Sequence, residues 1–143
     1  VKYARDFPES KTTNYLMAVK NQKKRNKEKA FEIIYIDSSG RVLEAATSNF
    51  FIVKNGAIIT PKDRVLRGIT RKVVLRLARK LRISVEERDI KEEELCEAQE
   101  AFLTATNKDI VPVVRVDNNK IGDGKAGNIT RTLMEEFKRF VKQ

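Results

Sequence analysis

Apolar positions recur along this chain at two spacings, one helical and one extended. From Ile69 to Leu81, the residues Ile69, Val73, Val74, Leu77 and Leu81 share one helical stripe, and arginines and lysines cover the opposite side. Thr130 to Val141 repeats the pattern with Leu133, Phe137 and Val141. Thr12 to Arg25 reads as a further helix whose Tyr15, Leu16 and Val19 share a face. Glu92 to Glu97 reads as a short helix opening on acidic residues, as the helix dipole prefers. The extended segments are Phe31–Asp37, Val42–Leu43 after the turn Ser38-Ser39-Gly40, Asn49–Lys54, Ala57–Thr60 and Ile83–Glu87. Asn55-Gly56 predicts a tight hairpin, because both residues accept positive φ, and Pro61 ends the returning strand. Ala101–Thr104 and Ile110–Val116 are strands around a polar turn at Ala105-Thr106-Asn107, and Gly122–Gly127 is a loop. The mixture predicts an α/β or α+β fold with no internal repeat.

Length and composition narrow the class. With 143 residues, of which 41% are hydrophobic, the chain is expected to form one domain, 1–143, with a real core rather than a disordered segment. No apolar run approaches the roughly 20 residues that span a bilayer, and Val1 to Lys11 has no stretch of signal-peptide type. The lone Cys96 cannot form an internal disulfide, which points to a reducing cytoplasm. There is no histidine, so serine–histidine and cysteine–histidine nucleophile pairs are excluded. The usual zinc sites fall with them, and no metal is expected. Any chemistry must come from lysine, hydroxyls, carboxylates or a borrowed cofactor.

The formal charge of +10 peaks at Lys20, Lys23, Lys24, Arg25, Lys27 and Lys29. A solvated helix face explains such a run better than a nucleic-acid patch, since no nucleic-acid motif and no interleaved aromatic residue accompanies it. A basic, non-catalytic binding module stays open as a different class of function.

Four segments could carry chemistry. Ser10-Lys11-Thr12-Thr13-Asn14-Tyr15 sets a lysine at a helix entrance, where it could equally be a surface residue. Glu44 ends an apolar strand and runs into Ala45-Ala46-Thr47-Ser48-Asn49; taken singly, an ordinary strand-end ion pair accounts for it better than chemistry does. Leu66-Arg67-Gly68-Ile69-Thr70 opens a strong helix, whose free N–H groups suit a phosphate but also need nothing beyond a cap. Thr104-Ala105-Thr106-Asn107 could be a plain hairpin turn.

In order, KTTNY, EAATSNFFIVKNG, LRGITR, FLTATNKDIVPV and IGDGKAGNITRTL resemble the C-terminal domain of class IV aminotransferases over nearly the whole chain. That family holds branched-chain and D-amino acid aminotransferases and aminodeoxychorismate lyases. The resemblance implies a mixed sheet or pseudo-barrel with packed helices, pyridoxal 5'-phosphate as cofactor, and amino acid and 2-oxo acid substrates. By the same resemblance, Lys11 matches the lysine that forms a Schiff base with the cofactor. Tyr15 matches a tyrosine near its phenolic oxygen, Glu44 the partner of the pyridine nitrogen, and Leu66 the residue behind the ring. Ile69, Thr70 and Thr106 match the phosphate cup, and Asn107 lies where amides meet a substrate carboxylate. An aminodeoxychorismate lyase remains the alternative enzyme.

Two departures stand out. Lys125-Ala126-Gly127-Asn128 replaces the K-P-G-P run that family members often carry. Ten residues precede Lys11, so the family's N-terminal domain, which completes the substrate pocket, is expected to be absent from this chain. Relatives pair as dimers, and a homodimer is the expected assembly.

Overall fold

A computed structural model describes residues 1–143. Its centre is the strand β3 (Asn49–Lys54), in which every residue but the last is buried. The Asn55-Gly56 turn forms as expected, with Asn55 at φ 51° and Gly56 at φ 76°, and returns the chain into β4 (Ala57–Thr60). On its other side β3 pairs antiparallel with β7 (Glu100–Ala105), which pairs with β8 (Asp109–Val113). β4 pairs in parallel with β5 (Val85–Glu87), the return strand of a helical crossover. β2 (Arg41–Ala45) continues from the end of β3 through the pair Glu44–Asn49, and it is flanked by β1 (Ile34–Ile36) and β6 (Ile90–Lys91). β9 (Arg115–Val116) and β10 (Asn119–Lys120) form a separate small hairpin.

Side-chain alternation along β3 builds two cores, one on each face. Phe51 and Val53 face α3 (Ile69–Lys80) and α5 (Asn128–Val141), together with Phe102, Val74, Leu77, Leu133 and Phe137. Phe51 and Phe102 stack with ring centroids 4.6 Å apart. Phe50 and Ile52 face the other way, into a cluster with Val42, Ile90, Leu95, Leu103 and Ile121. Pro112 sits within β8, which pairs on one side only, so its missing N–H disturbs no ladder.

The helix expected over Thr12–Arg25 is shorter and broken: α1 spans Leu16–Lys20 and α2 spans Gln22–Lys27. Before it, Thr12 and Asn14 side chains accept the N–H groups of Asn14 and Leu16, a local arrangement that competes with a helical turn. At the break, Asn21 turns its amide back onto the Met17 carbonyl, 2.9 Å away. The expected inward stripe is also rotated. Met17 and Ala18 pack against the cluster of Ile33, Tyr35, Leu43, Ala46 and Val65, whereas Leu16 and Val19 are 72% and 62% exposed. In the run Lys20–Lys29 the lysines are exposed and Arg25 is half-buried.

Other boundaries differ by a few residues. Phe31–Ile33 lie outside β1, and α4 is confined to Glu94–Glu97. No helix is long and apolar enough to cross a membrane.

Candidate functional site

Four segments far apart in sequence meet around one cavity of about 470 Å³. They are residues 5–15 before α1, the end of β2 with its turn into β3, the loop 61–68 with the start of α3, and the end of β7 with its turn into β8. Lys11, Tyr15, Glu44, Leu66, Ile69, Thr70, Thr106 and Asn107 all line it. Thr70 and Thr106 therefore share one cavity although 36 positions separate them, as the pairing of β3 with β7 and the packing of α3 on β7 require.

The eight residues differ in exposure. Lys11 is exposed at the rim, and Tyr15 (43% exposed) is the residue preceding α1. Glu44 is 4% exposed, on the floor. Its carboxylate accepts the Arg5 guanidinium on one oxygen and the Leu66 N–H, 3.1 Å away, on the other. Burial pushes the Glu44 carboxyl above the ordinary carboxylate range; the Arg5 charge and hydrogen bond and the Leu66 N–H pull it partly back.

Leu66 is held from both sides of its backbone, because its carbonyl also accepts the Asn49 side-chain amide at 2.5 Å. Asn49 explains the neighbouring glycine as well. A Cβ at Gly68 would sit 2.6 Å from the Asn49 side-chain oxygen, so only glycine fits. The loop carrying Leu66 is further tied by Arg64 to the buried Asp37, 2.6 Å away, and by Arg71 to the Pro61 carbonyl at 3.0 Å. Burial raises the Asp37 carboxyl, but the Arg41 backbone and guanidinium and the Ser39 N–H outweigh it and hold the group below its usual range.

The two long helices begin differently, and the contrast bears on what the cavity can hold. At the start of α5, the Glu100 carboxylate accepts the N–H of Ile129 at 3.1 Å and of Thr130 at 2.8 Å, plus the Thr130 hydroxyl at 2.7 Å. An anion already occupies that helix end. At the start of α3 no side chain caps the first turn, and Gly68, Ile69 and Thr70 open onto the cavity. Free first-turn N–H groups at the positive dipole end suit an external anion. Thr104 adds a second pointer: it is 1% exposed, lines the same cavity, and its hydroxyl has no partner. A buried polar atom of this kind calls for a ligand or an ordered water.

Reading the sequence missed Arg5, Asn49 and the particular role of Thr104. Arg5 was one of 30 lysines and arginines, and only its burial against Glu44 sets it apart. Asn49 carried a usable signal: an amide directly before the apolar run Phe50–Val53, which needs a partner when buried with it. No cluster of candidate metal ligands exists in the structure.

Comparison with known proteins follows the same geometry. The Aquifex aeolicus (strain VF5) protein named "Probable branched-chain-amino-acid aminotransferase" is 47% identical over 109 residues, 74% of this chain but 35% of its own length. The crystal structure of Escherichia coli branched-chain amino acid aminotransferase superposes with a TM-score of 0.87 at 31% identity, covering 97% of this chain and 49% of that one. The crystal structure of the T.th. branched-chain amino acid aminotransferase with pyridoxamine 5'-phosphate superposes with a TM-score of 0.85 at 30% identity, over 96% of this chain and 48% of that one. This chain thus spans between about a third and a half of the length of these three relatives. The profile of the family described as "Amino-transferase class IV" matches residues 1–116, which takes in the cavity and every segment that builds it, and the chain belongs to that family.

Proposed function

We propose that this chain is the cofactor-binding domain, residues 1–143, of a pyridoxal 5'-phosphate-dependent aminotransferase that moves amino groups between amino acids, branched-chain ones among them, and 2-oxo acids. The observation that carries the reading is the single cavity that gathers a lysine, a buried carboxylate and an uncapped helix start. The donor set fits the cofactor. An aldehyde needs an amine, supplied by Lys11. A pyridinium nitrogen needs an anion, supplied by Glu44. A phosphate dianion needs N–H and hydroxyl donors, supplied by Ile69, Thr70 and Thr106. When bound, pyridoxal phosphate supplies an electron sink for the bond broken at the substrate α-carbon.

The chain's own residues do the remainder. Lys11 would hold the cofactor aldehyde and would be the amine that moves a proton at the substrate α-carbon. Glu44 holds its negative charge against the ring nitrogen, with Arg5 and the Leu66 N–H keeping that charge tolerable in a buried place. Leu66 would back the ring, Tyr15 would meet its phenolic oxygen, and the Asn107 region would face the substrate carboxylate. A longer protein is needed to close the substrate side of the cavity. Its most economical form is a cytoplasmic homodimer: Phe7, Leu16 and Val19 leave apolar surface open to a partner, and a lone cysteine suits a reducing compartment.

Adding pyridoxal phosphate to the purified chain is expected to produce a visible absorption band. Borohydride reduction and peptide mapping should then place the label on Lys11, and Lys11→Ala should lose band and label while keeping its fold. Label on another lysine with Lys11 unmodified would overturn the assignment.

A further inference from the structure

A second polar cluster lies beside the cavity, and the roles assigned above do not use it. The Lys108 amine is 2.8 Å from the Glu32 carboxylate, 2.5 Å from the Thr47 hydroxyl and 3.5 Å from the Ser48 hydroxyl. Thr47 and Ser48 in turn donate to the same Glu32 oxygen, at 2.6 and 3.2 Å. The Lys108 amine also lies 5.4 Å from the centre of the Phe31 ring. All three ammonium donors are thus engaged, and the Glu32 carboxylate receives three donors. The pair is shielded, with side chains 23% and 8% exposed, so its hydrogen bonds are stronger than those of a surface pair.

The cluster joins three segments remote in sequence: the approach to β1, the turn from β2 to β3, and the turn from β7 to β8. Two of these segments supply cavity residues, Thr47 and Ser48 from one and Thr106 and Asn107 from the other. The β7–β8 turn has few hydrogen bonds of its own. Thr106 and Asn107 are exposed, and Asp109 at its end has φ 56°, a left-handed conformation that aspartate accepts more readily than most residues. Within the turn itself, only the Lys108 N–H to Ala105 carbonyl bond, at 3.2 Å, and the first ladder pair hold it.

We propose that Lys108 and Glu32 are positioning residues: their ion pair clamps the β7–β8 turn to the approach to β1 and, through the Thr47 and Ser48 hydroxyls that both of them hold, to the β2–β3 turn, and so fixes Thr106 and Asn107 where the cavity presents them to the cofactor phosphate and the substrate carboxylate. The clamp is a feature of this chain whether or not a ligand is present; its consequence for ligands rests on the cofactor reading above. Preorganised donors bind an anion without having to be ordered first, so a loosened turn weakens binding while every donor is still present.

The test uses this chain with four variants: Lys108→Met, Lys108→Arg, Glu32→Gln and, as a control, Lys54→Met, which breaks an ion pair distant from the cavity. Backbone ¹⁵N relaxation in the ligand-free chain should show order parameters at Thr106 and Asn107 falling from about 0.85 toward 0.6 in Lys108→Met and Glu32→Gln, and staying near the native value in Lys54→Met. Lys108→Arg, which keeps the charge and the donors, should restore most of the order. Pyridoxal phosphate affinity, read from the visible band, should fall about three- to thirtyfold in Lys108→Met, the range that ordering one or two loosened side chains on binding corresponds to, with the band position unchanged. Native order parameters at Thr106 and Asn107 in Lys108→Met would overturn the clamp, and so would an equal loss in Lys54→Met. If the unaltered chain fails to bind pyridoxal phosphate, the cofactor reading fails, and the relaxation data still decide the clamp.

Discussion

Arg5 shows how much a single side chain can decide. Its guanidinium faces the Glu44 carboxylate in a place where both side chains are largely shielded, 15% and 5% exposed. Burial dominates at Glu44 and raises its carboxyl above the ordinary range, and Arg5 is the largest opposing influence. A carboxyl raised in the folded state stabilises most when protonated, so its contribution is full below the unfolded value and lost as pH rises through the folded one. Removing Arg5 pushes that folded value higher. Arg5→Ala is expected to cost about 2–4 kcal/mol at pH 7, where a buried carboxylate is left with the Leu66 N–H alone. The deficit should shrink as pH is lowered toward the ordinary Glu range, where Glu44 takes up its proton. Urea unfolding of both proteins at pH 7 and pH 5 measures this, and a deficit of equal size at both pH values would contradict it. Glu44 itself could be singled out in the sequence, as an acid at the end of an apolar strand. Arg5 could not, because nothing local distinguishes it from the other basic residues; its meaning arises from a contact across 39 positions.

At the level of elements, the long periodic segments were legible and the short ones were not. α3 lies within a residue of the expected Ile69–Leu81, and the β3–β4 hairpin matches its Asn55-Gly56 signal, because local pattern and packing agree there. The region of α1 and α2 departs from its pattern. Five- and six-residue helices cannot stand on propensity, and side chains of Thr12 and Asn14 claim the backbone N–H groups that an earlier helix start would need. β6 and the β9–β10 hairpin are two residues per strand, too short for any periodicity to register. The start of α5 depends on a tertiary cap from Glu100, which no local capping signal announces. Glu100→Ala should destabilise the chain by about 1–3 kcal/mol, since it frees two amides and a hydroxyl at a helix N-terminus. Gly127→Ala should be at least as harmful, because a Cβ there would come within 2.0 Å of the Glu100 side chain. Thermal unfolding of the two variants provides the check; a midpoint unchanged in Glu100→Ala would show that the cap contributes nothing.

Across the whole molecule, where the formal charge is +10, ten of the 20 acidic side chains are ion-paired. The clearest case lies far from the cavity. Arg88 hydrogen-bonds Glu94 with two nitrogens, at 2.9 and 3.1 Å, and holds its carboxyl down at about 2 against the ordinary 4.5. A depressed carboxyl contributes stability above its unfolded value and loses it as pH falls through the folded one. Glu94→Gln is therefore expected to lose about 1–2 kcal/mol at neutral pH, discounted because Arg88 is 40% exposed, and to converge on the unaltered chain near pH 2. An acid titration of the unfolding free energy would show the two curves meeting; curves that stay parallel would refute the assignment. The mixed fold class was readable from the alternation of strands and helices. The meeting of residues 5–15 with residues 104–107 was implied by the family resemblance alone and by no local pattern, since it depends on the pairing of β3 with β7 and on the seating of β1.

That meeting has a thermodynamic corollary. The cavity draws on four stretches of chain spread over about a hundred positions, so no local fragment contains a version of it. Whatever enters the cavity recognises the native state and leaves the unfolded chain unrecognised. Binding then withdraws population from unfolding by mass action, adding about 2.7 kcal/mol of stability at a free ligand concentration one hundred times the Kd. Occupancy of the cavity and survival of the fold are, for this chain, one linked equilibrium.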